Sequence, residues 1–289
     1  MPEENIVLGY GCEDLLKQCV HHFVKKGEGV LVAQFSWWYF KKISGEVEGV
    51  TYEFPVHRND TRFQVDIRDI LTLQDQHHPK LILLANPNNP TGDAIMVEDL
   101  EILIRRCPDT LIVLDESYWG YNGMGNSHLK RFLENHPNVL ILRTFSKFFG
   151  LAGVRIGYGF IHQKHEFLIR SANRYLGFNR LAEEIALAAL DSFDHYLEIS
   201  RVIEAEKQRY YKELRPLQGM RIYDSQTNFV LMAVPEKTKE NLKTHFEKAG
   251  ILVRFFEEPG LENHFRVTIG KPAINTLVIQ CIRDAVVSP

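Results

Sequence analysis

The chain has 289 residues, room for one large domain or two of ordinary size. Apolar residues make up 45% and charged residues 25%, the balance of a soluble globular protein, which excludes a disordered tail, a collagen-like chain and a small stapled scaffold. With 34 Lys plus Arg against 37 Asp plus Glu the formal charge is −3, so no global field draws the chain to nucleic acid or an anionic membrane, and neither is expected as a partner.

The opening stretch MPEENIVLGYG has no basic segment ahead of an apolar core, so no signal peptide is expected. NIVLGYG reads as a strand running into a glycine turn. EDLLKQCVHHFVKK has helical spacing and a basic end that suits the helix dipole. GVLVAQ reads as a strand, and so do LILLAN, LIVLDES and VLILRTFS, each separated from the next by a polar or helical segment. Runs that are apolar on both faces, with helices between them, imply an α/β unit with a buried, mostly parallel sheet and flanking helices. A long Ala-, Leu- and Glu-rich helix is expected over roughly 179–214. After Pro216 come a strand (NFVLMAV), a helix ending at Gly250, two strands (ILVRFF and FRVTIG) and a closing helix (INTLVIQCIRDAVV). They suggest a small C-terminal α+β domain. The division expected is 1–190 for the large domain and 191–289 for the connecting helix and small domain. No run reaches the ~18 apolar residues needed to span a bilayer, and no internal repeat is visible.

The four cysteines, Cys12, Cys19, Cys107 and Cys281, form no CxxC pair, which points to reduced thiols and a cytoplasmic protein. The twelve histidines give no HExxH, so no metal site is expected. His21-His22 and His77-His78 read as incidental. GYGCED departs from GxGxxG because position 14 is Asp14, which leaves a dinucleotide fingerprint weak.

Three of the strands run into unusual polar residues. LILLA leads to Asn86-Pro87-Asn88-Asn89-Pro90-Thr91-Gly92, LIVL to Asp115-Glu116-Ser117-Tyr118, and VLILR to Thr144-Phe145-Ser146-Lys147. Ligands of open parallel sheets sit beyond the carboxyl ends of the strands, so Asn89, Asp115, Tyr118, Thr144, Ser146 and Lys147 are candidates to line one pocket. The amides of Gly11, Cys12 and Glu13 lie where a strand turns into a helix, a position suited to an anion.

NPNNPTG, DESY and SKFFGLAGVRIGY (Ser146 to Tyr158) occur in this order, with Arg155 eight residues after Lys147. Together they resemble the fold-type I aminotransferases that use pyridoxal phosphate (PLP), and most closely the histidinol-phosphate aminotransferase branch. The resemblance runs from Gly9 to Gly270. It implies the PLP-dependent transferase fold type I, PLP as cofactor, and Lys147 as the residue that forms the Schiff base and then moves the proton at the substrate Cα. It further implies that Asp115 faces the pyridine nitrogen, that Asn89 and Tyr118 bond the phenolic oxygen, and that Trp37 stacks on the ring. Thr144, Ser146 and Arg155 would join Gly11, Cys12 and Glu13 around the phosphate. Arg266 resembles the arginine that grips the substrate α-carboxylate in a planar fork. Arg254 lies near the position that holds the distal group, and Asn228 is a further substrate candidate. Trp38, Tyr39 and Phe40 are expected in the core.

The activity implied is transfer of an amino group between an amino acid, polar or phosphorylated, and a 2-oxo acid, in a cytoplasmic homodimer. Two rivals stay open at this level: decarboxylation of an amino-acid phosphate by the same residues, and a PLP-fold binding module with little turnover. Members of the family usually carry a further N-terminal stretch that supplies a lid and, from the partner subunit, a tyrosine to the cofactor phosphate. Here the turn begins at Gly9. The expectation is a short or truncated form in which substrate closure differs while the cofactor contacts stay intact.

Overall fold

Leu81–Ala85, Leu111–Asp115 and Val139–Thr144 are apolar on both faces, and only a strand covered on both sides buries such a run. In the computed structural model these runs form the centre of a seven-stranded sheet. The structure describes residues 3–287 apart from 122, 124, 166–167 and 169–176.

The first part contains β1 (Ile6–Gly9), α1 (Cys12–Phe23), β2 (Gly29–Ala33), α2 (Trp38–Glu46) and β3 (Val50–Phe54). A short hairpin of β4 (His57–Arg58) and β5 (Phe63–Gln64) precedes α3 (Ile67–His77). Then come β6 (Leu81–Ala85), α4 (Val97–Arg106), β7 (Leu111–Asp115), α5 (Ser127–Asn135), β8 (Val139–Thr144) and β9 (Gly157–Ile161). The strand order is β1-β9-β8-β7-β6-β2-β3. The pairs β8–β7, β7–β6, β6–β2 and β2–β3 are parallel, and β9 runs antiparallel to both its neighbours. The expected mostly parallel sheet with flanking helices is therefore present.

Alternation along each strand divides the core in two. Ile82, Leu84, Ile112 and Leu114 pack with Ile70, Leu100, Leu103 and Phe132 of α3, α4 and α5. Leu81, Leu83, Val113 and Leu140 pack on the other face with Leu15, Leu16, Phe40 and Ile43 of α1 and α2. Each fully buried aliphatic side chain contributes about 1.5–3 kcal/mol relative to exposure, so both helical layers are needed to hold the sheet.

The second part contains α6 (Arg180–Asp191), α7 (Phe193–Leu214), β10 (Arg221–Ile222), β11 (Phe229–Ala233), α8 (Glu236–Lys248), β12 (Arg254–Phe255), β13 (His264–Thr268) and α9 (Pro272–Val287). Its four strands form an antiparallel sheet in the order β10-β11-β13-β12. α7, α8 and α9 cover one face of it through Tyr210, Leu214, Phe246, Val278 and Ile282.

Several expectations are corrected. The single helix over 179–214 is two helices that meet at Ser192. The Asp191-Ser192-Phe193-Asp194 segment carries short polar side chains that compete for backbone hydrogen bonds. α1 ends at Phe23, so Lys25 and Lys26 lie beyond it. In ILVRFF only Arg254 and Phe255 are strand: β12 pairs on one side alone, and Leu252 is 99% exposed. Tyr39 and Phe40 are buried as expected, but Trp38 is 60% exposed, because it opens α2 on the solvent side. Among the described residues no helix is long and apolar enough to cross a membrane, and the four cysteines are free.

Candidate active site

The carboxyl ends of β6, β7 and β8 stand side by side, with Ala85 opposite Asp115 and Asp115 opposite Leu142. A cavity of about 220 Å³ opens beyond them. All the residues expected around the cofactor line it: Gly11, Cys12, Glu13, Trp37, Asn89, Asp115, Tyr118, Thr144, Ser146, Lys147 and Arg155. A second cavity adjoins it and shares Trp37, Asn89, Tyr118 and Lys147 with it. Arg254 and Arg266 line this outer space, together with Ser36, Phe256 and Glu258.

Asp115 is the last residue of β7 and is buried. Burial pushes its carboxyl above the usual carboxylate range, while hydrogen bonds from Ser117 and the charge of Lys147 pull it back. Glu116, next along, points away into a different environment. It accepts from Arg143 Nε at 2.8 Å and meets His128 Nε2 at 2.6 Å, all three being buried. Arg143 also stacks on Trp119, 4.1 Å from the ring centroid. This network ties the end of β7 to β8 and α5, and so fixes the backbone from which Asp115 projects.

Lys147 follows β8 and lines both cavities. Its amine lies 5.6 Å from the centre of the Tyr118 ring. Desolvation, and then the nearby Arg266 cation, hold the amine below the usual lysine range. A larger neutral fraction makes it a better nucleophile and base. Burial pushes the Tyr118 hydroxyl up to about 12, so it stays protonated and able to donate.

The asparagines of NPNNPTG divide their work. Asn86 bonds both ways with Ile95, and Asn88 donates to the Phe35 carbonyl at 2.7 Å and to Thr91 at 2.6 Å. Asn89 is left to face the cavity, where its carbonyl oxygen accepts from Arg266 Nη1.

The glycine turn is clamped from behind. Arg155 has a left-handed backbone, φ 57°, and donates to the Ala152 carbonyl at 3.1 Å and the Tyr10 carbonyl at 3.2 Å. A Cβ on Gly11 would run into the Arg155 guanidinium, and a Cβ on Gly157 into the Gly11–Cys12 backbone. Gly157 is paired with Gly9 in β1 and Thr144 in β8, so it has nowhere to move. Gly157→Ala is expected to displace the start of α1, at a cost of about 1–3 kcal/mol from overpacking. Thermal unfolding checks the stability loss, and a fall in affinity for inorganic phosphate checks the displacement.

Arg266 and Arg254 sit directly opposite each other in β13 and β12. Like charges paired across strands are unfavourable, and Arg266 Nε is buried without a partner. Both features suit an anion between them. Asn228 lines neither cavity. Its side chain meets the Tyr121 hydroxyl, which donates to the Lys147 carbonyl at 2.8 Å.

Ser117 was missed as a site residue. It lines the inner cavity, and both its hydroxyl and its backbone N–H bond Asp115. The signal lies in the spacing, since a serine two residues after an aspartate is in reach of that carboxylate. Ser36 and Glu258 of the outer cavity carry no such local signal.

The donor set fits PLP. A buried acid would suit a ring nitrogen, a glycine turn at a helix N-terminus a phosphate, a depressed lysine amine an aldehyde, and an unpartnered arginine nitrogen a carboxylate.

Comparison with known proteins agrees with this geometry. The family model for aminotransferase class I and II matches residues 1–282. Histidinol-phosphate aminotransferase 2 of Carboxydothermus hydrogenoformans is 31% identical over 281 residues, covering 96% of this chain and 75% of that protein. The crystal structure of histidinol-phosphate aminotransferase from Sinorhizobium meliloti in complex with pyridoxal-5'-phosphate matches with a TM-score of 0.87 and 26% identity, over 98% of this chain and 77% of that one. A decarboxylase from Sulfurospirillum multivorans matches with a TM-score of 0.85 over 99% of this chain and 83% of that one, at 22% identity, a likeness of fold alone. The chain belongs to the class I and II aminotransferases and is a PLP-dependent enzyme that transfers amino groups.

Proposed function

We propose that the enzyme takes its amino group from, or gives it to, a compound with an anionic distal group of the histidinol-phosphate kind, with a 2-oxo acid as the other partner. The observation that carries this reading is the cross-strand pair Arg254–Arg266 on the wall of the cavity next to Lys147. Two guanidiniums on one wall suit a substrate with two anionic ends, or one with an anion large enough to reach both. The names of the relatives, histidinol-phosphate aminotransferases, agree with it.

When bound, PLP supplies an electron sink for the charge left at the substrate Cα. In the proposed mechanism Lys147 Nζ takes the proton from that carbon and later returns it. Asp115 would hold a proton on the ring nitrogen, Asn89 and Tyr118 would donate to the phenolic oxygen, and Trp37 would cover the ring. The amides of Gly11, Cys12 and Glu13 would bind the phosphate with Thr144, Ser146 and Arg155. Arg266 orients the substrate through its carboxylate, and Arg254 holds the distal anion. Asn228 acts at one remove, through Tyr121 and the Lys147 backbone. We also propose a cytoplasmic homodimer. β1 exposes Ile6 and Leu8 on its outer face, and Trp38 is exposed at the start of α2, which supports a covered surface. Sedimentation at micromolar concentration tests it, and a monomer would overturn it.

A panel of amino donors against the PLP-loaded protein, read as a change in the cofactor absorption band, tests the substrate reading. Donors with a distal phosphate are expected to react fastest. Carbon dioxide release with no need for an oxo acid would replace transfer by decarboxylation. Arg266→Lys, which keeps the charge but loses the fork, is expected to raise KM for the donor roughly 10–100-fold, the worth of a charge-assisted hydrogen bond. Steady-state kinetics on one donor checks it.

A further inference from the structure

Asp115 is held on its wall by more than its own backbone. The Ser117 N–H donates to Asp115 Oδ1 at 2.9 Å, and the Ser117 hydroxyl donates to the same oxygen. Cys12 Sγ lies 3.1 Å from Ser117 Oγ. A serine has one proton, and here it is turned to the carboxylate, so the thiol is the donor in the second contact. The three residues come from two elements, Cys12 from the first turn of α1 and Asp115 and Ser117 from the end of β7, and all three line the inner cavity.

We propose that Cys12 and Ser117 form a two-step donor chain, thiol to hydroxyl to carboxylate, that aims Asp115 at the cofactor's ring nitrogen and keeps it ionised there. Both act as positioning residues. The inference rests on the proposed role of Asp115.

The physical case is one of compensation. Burial works against the Asp115 charge, as does Glu116, its neighbour in sequence, while Ser117 and the Lys147 amine after β8 work for it. Cys12 faces the same carboxylate from α1, and Tyr118 faces it from the loop beyond β7. Burial, and then the Asp115 charge, push the Cys12 thiol up to about 12. The thiol therefore stays protonated and remains a donor throughout the neutral range. Donors in series polarise one another, so the thiol strengthens the hydroxyl's bond to the acid. A cysteine at this point of the turn thus has a use for its side chain beyond the backbone amide that meets the phosphate.

The test uses apo-protein titrated with PLP, and protein loaded with PLP carrying nitrogen-15 in the ring. Ser117→Ala is expected to weaken PLP binding roughly tenfold or more, and to move the ring-nitrogen resonance toward the neutral-pyridine position. Cys12→Ala should weaken binding about threefold, as the loss of a neutral hydrogen bond does. Cys12→Ser, which keeps a donor, should recover most of what Cys12→Ala loses. In the Ser117→Ala background, Cys12→Ala should add little. The chain is refuted if Ser117→Ala leaves both affinity and resonance unchanged, if Cys12→Ser behaves as Cys12→Ala does, or if the two losses add in full. Should Ser117→Ala not fold, the two Cys12 variants decide the question alone. A resonance that ignores Asp115→Asn would instead defeat the role assigned to Asp115 itself, a separate outcome.

Discussion

Lys147→Ala is expected to abolish borohydride fixation of PLP to the protein and to lower amino-donor turnover by at least about 10³-fold, since a positioned general base alone contributes roughly 10²–10⁴. Among the described residues Lys147 is the one lysine lining either cavity, and its amine is held below the usual lysine range by desolvation and Arg266. Fold stability should hardly change, because the side chain projects into open space rather than into a core. Lys147→Arg should keep the cation and bind PLP without covalent attachment, which separates charge from nucleophilicity. Peptide mapping after reduction checks the assignment. A label on another lysine, or full turnover in Lys147→Ala, would remove the centre of the mechanism.

Asp115→Asn is the second large effect. Asparagine keeps the shape and can still accept from Ser117, but it cannot hold a proton on the ring nitrogen. Loss of one preorganised electrostatic partner costs about 10²–10³ in kcat. The same substitution should act oppositely on the apo-protein. Burial raises the Asp115 carboxyl above its unfolded value, so the folded chain binds the extra proton over that window. Stability therefore falls as pH rises from the ordinary carboxylate range through the raised one. Asparagine carries no such cost. Apo Asp115→Asn is expected to melt above the apo wild type at pH 8, and PLP should stabilise the wild type more than the variant. Paired melts with and without PLP read both signs. An apo variant less stable than the wild type at pH 8 would count against a costly buried charge.

The strand ends were legible because they break a pattern. An all-apolar run in a parallel sheet has no local reason to finish on Asp115, or to hand over to Ser146-Lys147, and a ligand supplies one. Arg143, an arginine inside VLILR, also interrupts an apolar run, but its partners Glu116 and His128 are not recognisable in sequence. His128 lies on α5, and only the packing of that helix on the sheet brings it to Glu116.

Local spacing also decides less than it suggests where two polar groups compete. The run over 179–214 reads as one helix by composition, but the backbone breaks at Ser192. Trp38 reads as core by its neighbours, but helix phase turns it to solvent.

Sequence alone determined the layered α/β plan, because that follows from short-range order: apolar runs, turn chemistry and what stands at each strand's end; the cofactor came from the family resemblance of the strand-end motifs, and with it most of the inner cavity, Ser117 excepted. Only the tertiary structure decided that Arg254 faces Arg266, that Asn228 adjoins Tyr121 and that Cys12 reaches Ser117. Those contacts join segments distant in the chain, and their geometry is set by how β12 pairs with β13 and how α1 packs against β8 and β9, which no local pattern encodes.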